Sequence, residues 1–215
     1  MSTKRARDGS RRKRRTHFRP LRLKNYLIVT DGEQTEKNYF EGLRDYLPAD
    51  AKEKIRLKVV KAKNAKKLIE KCLDEQAQGA QFSETWLVFD RDRVPNFDQI
   101  LKQARAEGIE TAWSNPCIEV WFSAYFGSLL SISESKICCE KFADLYKKKT
   151  AQEYKKSNPN IYKILYENGD EQQAIRRSEN RRRSQKADAR PSDPSDRVGC
   201  TEVDRLVKAI RENTK

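Results

Sequence analysis

YLIVTDG, at residues 26–32, joins a short apolar run to an acidic residue and a glycine. An apolar run of this length that ends in a turn signal is typical of a buried strand. WLVFDRD, at residues 86–92, repeats the arrangement and ends in two aspartates. The two stretches predict buried strands of one parallel sheet, each followed by a loop that carries carboxylates.

The pattern around these stretches extends the sheet. Four strands are predicted at residues 26–30, 55–60, 85–89 and 109–113. They alternate with helices predicted at residues 34–47, 65–78, 97–107 and 115–126. Pro48 is expected to end the first of these helices. Strands that alternate with helices of this length are typical of βαβ units joined by right-handed crossovers. The sequence therefore predicts an α/β fold, with a parallel sheet flanked by helices.

Composition divides the chain into three predicted parts: a disordered basic arm at residues 1–22, an α/β domain at residues 23–130 and a helical C-terminal region at residues 131–215. The last part has helical periodicity at residues 135–149, 161–167 and 172–183. Residues 184–200 are rich in Ser, Asp and Pro and predict a flexible loop. Thr201 and Asp204 have the spacing of a capping box that begins a final helix.

Carboxylates collect just beyond three of the predicted strands. Asp31 and Glu36 follow the first strand, Asp90 and Asp92 the third, and Glu119 the fourth. The carboxyl ends of parallel strands meet at one edge of a sheet, which is where open α/β sheets bind ligands. Carboxylate oxygens are preferred ligands of Mg²⁺ and Mn²⁺. The sequence therefore predicts a site for one of these cations, with Asp31, Asp90, Asp92 and Glu119 as ligands.

The positive charge of the chain is concentrated in two stretches. The formal net charge is +14, of which residues 1–24 carry +10 and residues 176–186 carry +5, so the rest is nearly neutral. Basic runs bind polyanions through counterion release. We expect nucleic-acid contacts from Arg11, Arg12, Lys13, Arg14, Arg15, Arg181, Arg182 and Arg183. A solubilising tail is the alternative for the N-terminal run.

The five cysteines lack the C-x₂-C spacing of a common zinc site, and Cys138 and Cys139 are adjacent in sequence. They are predicted to be buried or incidental thiols in a reducing compartment. The only histidine, His17, lies in the basic arm, which argues against nucleases that use histidine as general base. A P-loop motif is absent from the sequence, so the chain is not expected to be an ATPase itself.

The sequence contains no apolar run of 18 residues and no apolar signal-peptide region. We therefore expect a soluble, cytoplasmic protein that does not associate with membranes.

Several spaced motifs resemble the RloB family, which is associated with bacterial restriction and abortive-infection loci. They are YLIVTDGEQTEKNYFEGL at 26–43, WLVFDRDRV at 86–94, AWSNPCIEVWFSAYF at 112–126 and EYKKSNPNIYKIL at 153–165. The resemblance implies a Toprim-like (topoisomerase–primase) domain with a Mg²⁺- or Mn²⁺-dependent nuclease activity on DNA or RNA, tRNA included. It also implies an ATPase partner of the AAA or ABC type. A homo-oligomer is left open.

The resemblance also implies roles for individual residues. Asp31 stands where the Toprim pattern has a glutamate that acts as general base or acid, and Asp90 and Asp92 stand at the metal-binding D-x-D. Glu119 matches the acidic residue of S-N-P-x-x-E-x-W, and Lys155 or Lys156 matches a catalytic lysine. The chain departs from the pattern at Asp31, which is one methylene shorter than glutamate, so Glu33 or Glu36 is expected to compensate. It also departs at Tyr125, where the family often has histidine.

The leading hypothesis is a Toprim-like, metal-dependent endonuclease that acts as the effector of an anti-phage defence system regulated by an ATPase. The second is a catalytically weak subunit that binds nucleic acid through its basic arms. The third is a different phosphoryl- or nucleotidyl-transfer reaction at the same metal site.

Overall fold

The computed structural model describes residues 23–32, 34–63, 67–78, 81–92, 94–187 and 193–214, with the side chains of 186 and 187 left out. The predicted arm at residues 1–22, which includes the basic run 11–15, lies outside the described residues, as does Glu33. The described part is a mixed α/β fold in which helices flank a five-stranded sheet, as predicted. The strands are β1 Lys24–Thr30, β2 Ile55–Lys61, β3 Glu84–Asp90, β4 Glu110–Asn115 and β5 Cys200–Thr201.

The sheet has the strand order β2-β1-β3-β4-β5. The first four strands are parallel, and β5 is antiparallel to β4, with Ser114 opposite Thr201. Central strands β1 and β3 are almost continuously apolar because both of their faces are covered by helices. The carboxyl ends of β1, β3 and β4 therefore lie side by side at one edge of the sheet.

The described helices follow the predicted order with one addition. Their bounds are α1 Thr35–Asp45, α2 Ala49–Lys54, α3 Leu68–Ala77, α4 Phe97–Ala106, α5 Glu119–Phe126, α6 Ser135–Thr150, α7 Ile161–Asn168, α8 Glu171–Ala187 and α9 Val203–Glu212. A 3₁₀ turn occupies Pro194–Asp196.

Two apolar cores lie on opposite faces of the sheet, as the alternation of side chains along a strand requires. Tyr26 and Ile28 of β1 face a large core that includes residues of α1, α5, α6, α7 and α9. Leu27 and Val29 face a smaller core formed with α3 and α4. Because the larger core combines strand residues with residues of α6 to α9, the C-terminal helices are packed on the sheet.

Four details differ from the sequence-based expectations. The helix predicted at residues 115–126 begins only at Glu119, because Asn115 is the last residue of β4. Pro48 follows the end of α1 and immediately precedes the short helix α2, where its fixed φ is compatible with a helix start. The segment 184–200, expected to be a loop, contains the end of α8, the 3₁₀ turn and the first residue of β5. Thr201 lies in β5, and its hydroxyl accepts a hydrogen bond from the Val203 amide at 3.1 Å, while Asp204 binds Arg182, so the predicted capping box does not form.

Candidate active site

Backbone hydrogen bonds hold the acidic loops next to one another. The Asp31 amide donates to the Val88 carbonyl of β3 at 3.3 Å. The Arg91 amide donates to the Ser114 carbonyl of β4 at 2.9 Å. The Asp92 amide donates to the Pro116 carbonyl at 3.2 Å. Each loop is thus fixed to the end of the neighbouring strand, which brings the carboxylates that follow β1 and β3 towards the start of α5.

These loops form one side of a cleft of about 340 Å³ whose lining includes Glu36, Asp90, Asp92 and Lys156. The segment that carries Lys156 is fixed to the first turns of α1. Thr35 Oγ1 donates to the Lys156 carbonyl at 3.1 Å, and Asn38 Nδ2 donates to the Ser157 carbonyl at 3.1 Å. A lysine distant in sequence is therefore placed opposite the acidic residues.

The carboxylates in and around the cleft interact strongly with Asp90. Burial raises the pKa of Asp90 well above its ordinary value, and the negative charges of Glu36, Glu119, Asp31 and Asp92 raise it further. All four other predicted acidic residues are thus close enough to Asp90 to oppose its ionisation. Among the described residues, these five carboxylates outnumber the lysine that lines the cleft, Lys156, and an excess of acidic groups favours cation binding.

Glu119, at the start of α5, is almost completely buried, with 1% of its surface exposed. Its Oε1 accepts a hydrogen bond from the Tyr154 hydroxyl at 2.9 Å and lies 3.4 Å from Lys156 Nζ. Its Oε2 is buried without a hydrogen-bond partner. Burial opposes ionisation of Glu119, but the charge of Lys156 and the neighbouring Cys117 thiol and Tyr154 hydroxyl outweigh it and lower the pKa of Glu119. Glu119 is therefore a buried carboxylate with one oxygen left to bind a further group.

Gly32 is required at its position because the Glu36 carboxylate lies against its Cα. A Cβ added at Gly32 would overlap with Cδ and both carboxylate oxygens of Glu36. Glu36 belongs to the first turn of α1 and is buried, so the glycine lets its carboxylate reach the lining of the cleft. Two acidic residues are therefore neighbours of Gly32: Asp31 precedes it in the chain, and the Glu36 carboxylate packs against it.

We expect Gly32→Ala to displace the Glu36 carboxylate and to lower any cleavage activity by about 100-fold, the loss typical of a misplacement of about 1 Å. The free energy of unfolding should change little, because the displaced atoms are the end of a flexible side chain. Single-turnover cleavage and urea unfolding measure the two effects. If displacement of the Glu36 carboxylate explains the loss of cleavage activity, the double variant Gly32→Ala, Glu36→Gln should be as active as Glu36→Gln alone. Additive losses would contradict this explanation.

The acidic residues are compatible with Mg²⁺ or Mn²⁺. Mg²⁺ usually takes one or two carboxylates and completes its shell with water. Asp90 at the end of β3 and the exposed Asp92 both line the cleft and provide two such ligands. Among the described residues, the set of three possible metal-ligating side chains whose ligand atoms all lie within 4.8 Å of one another is Cys117, Glu119 and Cys139. In the described part of the chain, the carboxylates that line the cleft do not form a second set of this kind.

Most of the predicted catalytic residues are brought together by the fold. Asp31, Glu36, Asp90, Asp92 and Glu119 form the acidic group described above. The sequence left Lys155 and Lys156 as alternatives. The structure places Lys156 in the cleft and beside Glu119. Lys155 is exposed and is not among the residues that line the cleft, and its catalytic role stays a prediction.

The predicted nucleic-acid contacts on α8 separate into two kinds. Arg183 is exposed, and Arg181 is partly exposed with its guanidinium 3.4 Å from the Leu129 carbonyl. Arg182 has only 12% of its side chain exposed and forms a two-pronged ion pair with the fully buried Asp204. We therefore remove Arg182 from the predicted nucleic-acid contacts, because its guanidinium is bound inside the protein.

Two residues of the site, Tyr154 and Gly32, and a buried polar network were not predicted from the sequence. Tyr154 orients Glu119 and directly precedes the two lysines of the EYKK motif, which was the available signal. Gly32 was interpreted only as a strand terminator. Tyr125, which replaces the family's histidine, has its hydroxyl 2.8 Å from that of Tyr39 and donates to Glu171 at 3.2 Å. It therefore belongs to a buried polar network and does not line the cleft.

The fold and the cleft define a mixed α/β protein with an acidic, cation-favouring centre at the carboxyl edge of its sheet. A family model described as RloB-like protein matches residues 26–210. The chain therefore belongs to the RloB-like family. No curated protein and no solved structure matches it. Within the described ranges, no helix has the length and apolar character needed to cross a membrane.

Proposed function

We propose that this RloB-like protein is a Toprim-like, Mg²⁺- or Mn²⁺-dependent endonuclease that serves as effector of an anti-phage defence system regulated by an ATPase partner. The observation that carries the proposal is a cleft lined by Glu36, Asp90, Asp92 and Lys156, with the carboxylates of Asp31 and Glu119 also close enough to Asp90 to oppose its ionisation. Carboxylate-held cations are the usual means of phosphodiester hydrolysis where histidine is not used, and the only histidine of the sequence, His17, lies in the predicted basic arm.

The residues of the cleft have separate proposed tasks. Asp90 and Asp92 would hold the cation, with Asp31 beside them as a further ligand. When bound, the cation would neutralise phosphate charge and activate water. Glu36, buried at the start of α1, is near enough to Asp90 to affect its ionisation and is proposed to accept or supply a proton together with Asp31. Lys156 is 48% exposed at its side chain, so its ammonium can stabilise negative charge on a phosphate while it contacts Glu119.

The direct test is to incubate the full-length protein with plasmid DNA, single-stranded DNA and tRNA, each with Mg²⁺, Mn²⁺ or EDTA. We expect cleavage of at least one substrate with a divalent cation and none with EDTA. The same reactions with nucleoside triphosphates test the transfer alternative. Binding of nucleic acid without cleavage under every metal condition, and also in the presence of the ATPase partner, would contradict the nuclease proposal.

The second candidate is a binding subunit without significant catalysis, which the exposed Arg183 and the basic composition of residues 1–24 favour. Metal dependence separates the two functions. A binding subunit should hold nucleic acid equally well with EDTA and should not depend on Asp90.

Deletion of residues 1–20 tests the basic arm under either function. It removes nine basic residues and Asp8, a net loss of +8. We expect weaker nucleic-acid binding with a shallower dependence on salt, because fewer counterions are released. The melting temperature should change little, because the arm has few apolar residues to bury. Filter binding over a salt series and thermal unfolding measure the two effects. A large fall in melting temperature would show instead that the arm is part of the folded structure.

A further inference from the structure

Three side chains beside the acidic cleft form a compact group that the proposed nuclease chemistry does not use as a unit. Cys117 precedes α5, Glu119 begins α5, and Cys139 lies on α6. The two sulfurs are 3.9 Å apart, and a carboxylate oxygen of Glu119 lies within 4.8 Å of both. Sequence spacing did not indicate this group, because 22 residues separate the cysteines.

The geometry of the group matches a zinc site. Two thiolates bound to Zn²⁺ at about 2.3 Å lie about 3.8 Å apart when the coordination is tetrahedral. The observed separation of 3.9 Å between the sulfurs is close to that value. Thiolate sulfur together with one carboxylate oxygen is a ligand set that selects Zn²⁺ over Mg²⁺ or Mn²⁺.

A second observation points to a missing partner at the same place. Glu119 is 1% exposed, and its Oε2 is buried without a hydrogen-bond partner, whereas Oε1 is bound by Tyr154 and Lys156. A buried carboxylate oxygen without a partner is costly. A cation bound through Oε2 would satisfy this oxygen, and the Tyr154 hydroxyl would orient the carboxylate as outer-shell partners of metal ligands do.

Charge and access are also compatible with zinc. Two thiolates and Glu119 carry three negative charges, which Zn²⁺ and the neighbouring Lys156 balance. Cys117 is buried, but Cys139 is partly exposed, so a cation can enter from the α6 side. On binding, each thiol forms a sulfur–zinc bond and releases its proton to solvent, which gives two protons for each Zn²⁺.

We propose that Cys117, Glu119 and Cys139 bind one Zn²⁺, with water in the fourth position. This site joins the start of α5 to α6. It also assigns Glu119 to zinc and leaves Asp31, Asp90 and Asp92 as the ligands of Mg²⁺ or Mn²⁺. The inference does not depend on the proposed nuclease activity, because a zinc ion in this position can be purely structural.

The test is the metal content of the full-length protein, purified under reducing conditions without chelator, incubated with Zn²⁺ and desalted. We expect about one Zn²⁺ per chain. Cys117→Ala and Cys139→Ala should each lose it, with a fall in affinity greater than the roughly 10- to 100-fold that removal of an outer-shell partner causes. Cys72→Ala is the matched control, because Cys72 is a buried cysteine of α3 in the core on the other face of the sheet. It should keep the zinc.

Two further measurements make the result specific to this site. The Co²⁺-loaded protein should show thiolate-to-metal charge-transfer absorption, and Zn²⁺ binding in weak buffer should release about two protons. Asp90→Asn should keep its zinc even if it has lost all nuclease activity, which separates failure of this proposal from failure of the proposed function.

The proposal is overturned if the reduced wild-type protein takes up no zinc, or if zinc content is unchanged in Cys139→Ala, whose partly exposed site tolerates substitution better than Cys117. Loss of zinc in Asp90→Asn would place the zinc among the cleft carboxylates and would also overturn it. A disulfide between Cys117 and Cys139 after peroxide treatment, without zinc uptake by the reduced protein, would show a redox pair in place of a metal site.

Discussion

Asp90→Asn and Asp92→Asn are each expected to reduce metal-dependent cleavage to the level seen with EDTA, a loss of at least about 100- to 1000-fold. Each substitution preserves the size of the side chain and removes the negative charge that a hard divalent cation requires. Any phage-protection or toxicity phenotype should disappear as well. Association with an ATPase partner should survive, because both residues line the cleft. Asp74→Asn, at an exposed position of α3, is the matched control and should keep full activity.

Asp90→Asn should also raise the melting temperature of the metal-free protein near neutral pH. The pKa of Asp90 is raised by burial and by the surrounding carboxylates, so the folded protein retains this proton to a higher pH than the unfolded chain. The free energy of unfolding therefore falls as pH rises through the interval between the two pKa values. Asparagine does not ionise, so the Asp90→Asn variant does not lose unfolding free energy in this pH interval. The gain should vanish below the unfolded-state pKa of aspartate, about 3.9.

Metal titration adds a measurement that is independent of cleavage. A cation that binds only the folded state raises the melting temperature in proportion to the logarithm of its concentration once the site is saturated. Mg²⁺ or Mn²⁺ should therefore stabilise the wild-type protein and Asp74→Asn, but not the Asp90→Asn, Asp92→Asn double variant. Full cleavage activity in that double variant would be fatal to the nuclease proposal and would favour the binding-subunit alternative.

Arg182→Ala is expected to lower the free energy of unfolding by about 3–5 kcal/mol, the effect typical of removing one partner of a buried ion pair. The Arg182 guanidinium binds both carboxylate oxygens of Asp204, which is fully buried on α9, and it also donates to the Thr201 carbonyl of β5. Burial raises the pKa of Asp204 even with Arg182 present. Without the arginine, the buried carboxylate would lose its counterion and its main hydrogen bonds.

Urea unfolding measures this effect, and the neighbouring residue supplies the control. Arg183→Ala replaces an exposed arginine of the same helix and should change the unfolding free energy by no more than about 0.5 kcal/mol. Nucleic-acid affinity should show the reverse order: Arg183→Ala should weaken binding directly, and Arg182→Ala should affect binding only through the loss of stability. Replacing Arg182 and Asp204 together by Met and Leu should recover most of the lost stability, because no buried charge is then left unpaired. An unchanged unfolding free energy in Arg182→Ala would contradict the structural role.

The sheet could be predicted because its central strands are decided by local pattern. β1 and β3 are short apolar runs between turn residues, and parallel strands buried on both faces have this composition. β5 could not be predicted in the same way. It has two residues, Cys200 and Thr201, and its existence depends on pairing with β4, more than 80 positions earlier in the chain. Local sequence carries little information about such a pairing.

The candidate site shows the same difference between features set by local sequence and features set by contacts distant in sequence. The acidic residues were predictable, because the position of a carboxylate after a strand fixes the edge of the sheet on which it lies. Which of Lys155 and Lys156 lines the cleft depends on how α1 binds residues 155–157, and the local sequence does not show this contact. The Arg182 ion pair and the Cys117–Cys139 pair were missed for the same reason. Each joins residues that are distant in sequence and that are brought together by the packing of α5, α6, α8 and α9.

The two edges of the described sheet differ: β5 is a two-residue strand paired with the last two residues of β4, whereas β2 is a seven-residue strand. β2 carries the basic residues Arg56, Lys58 and Lys61, and lysine-rich edge strands are poor templates for the addition of another strand. A basic strand at one edge and a two-residue strand at the other give another sheet little backbone with which to pair. Edge-to-edge growth of this sheet into a fibre is therefore disfavoured.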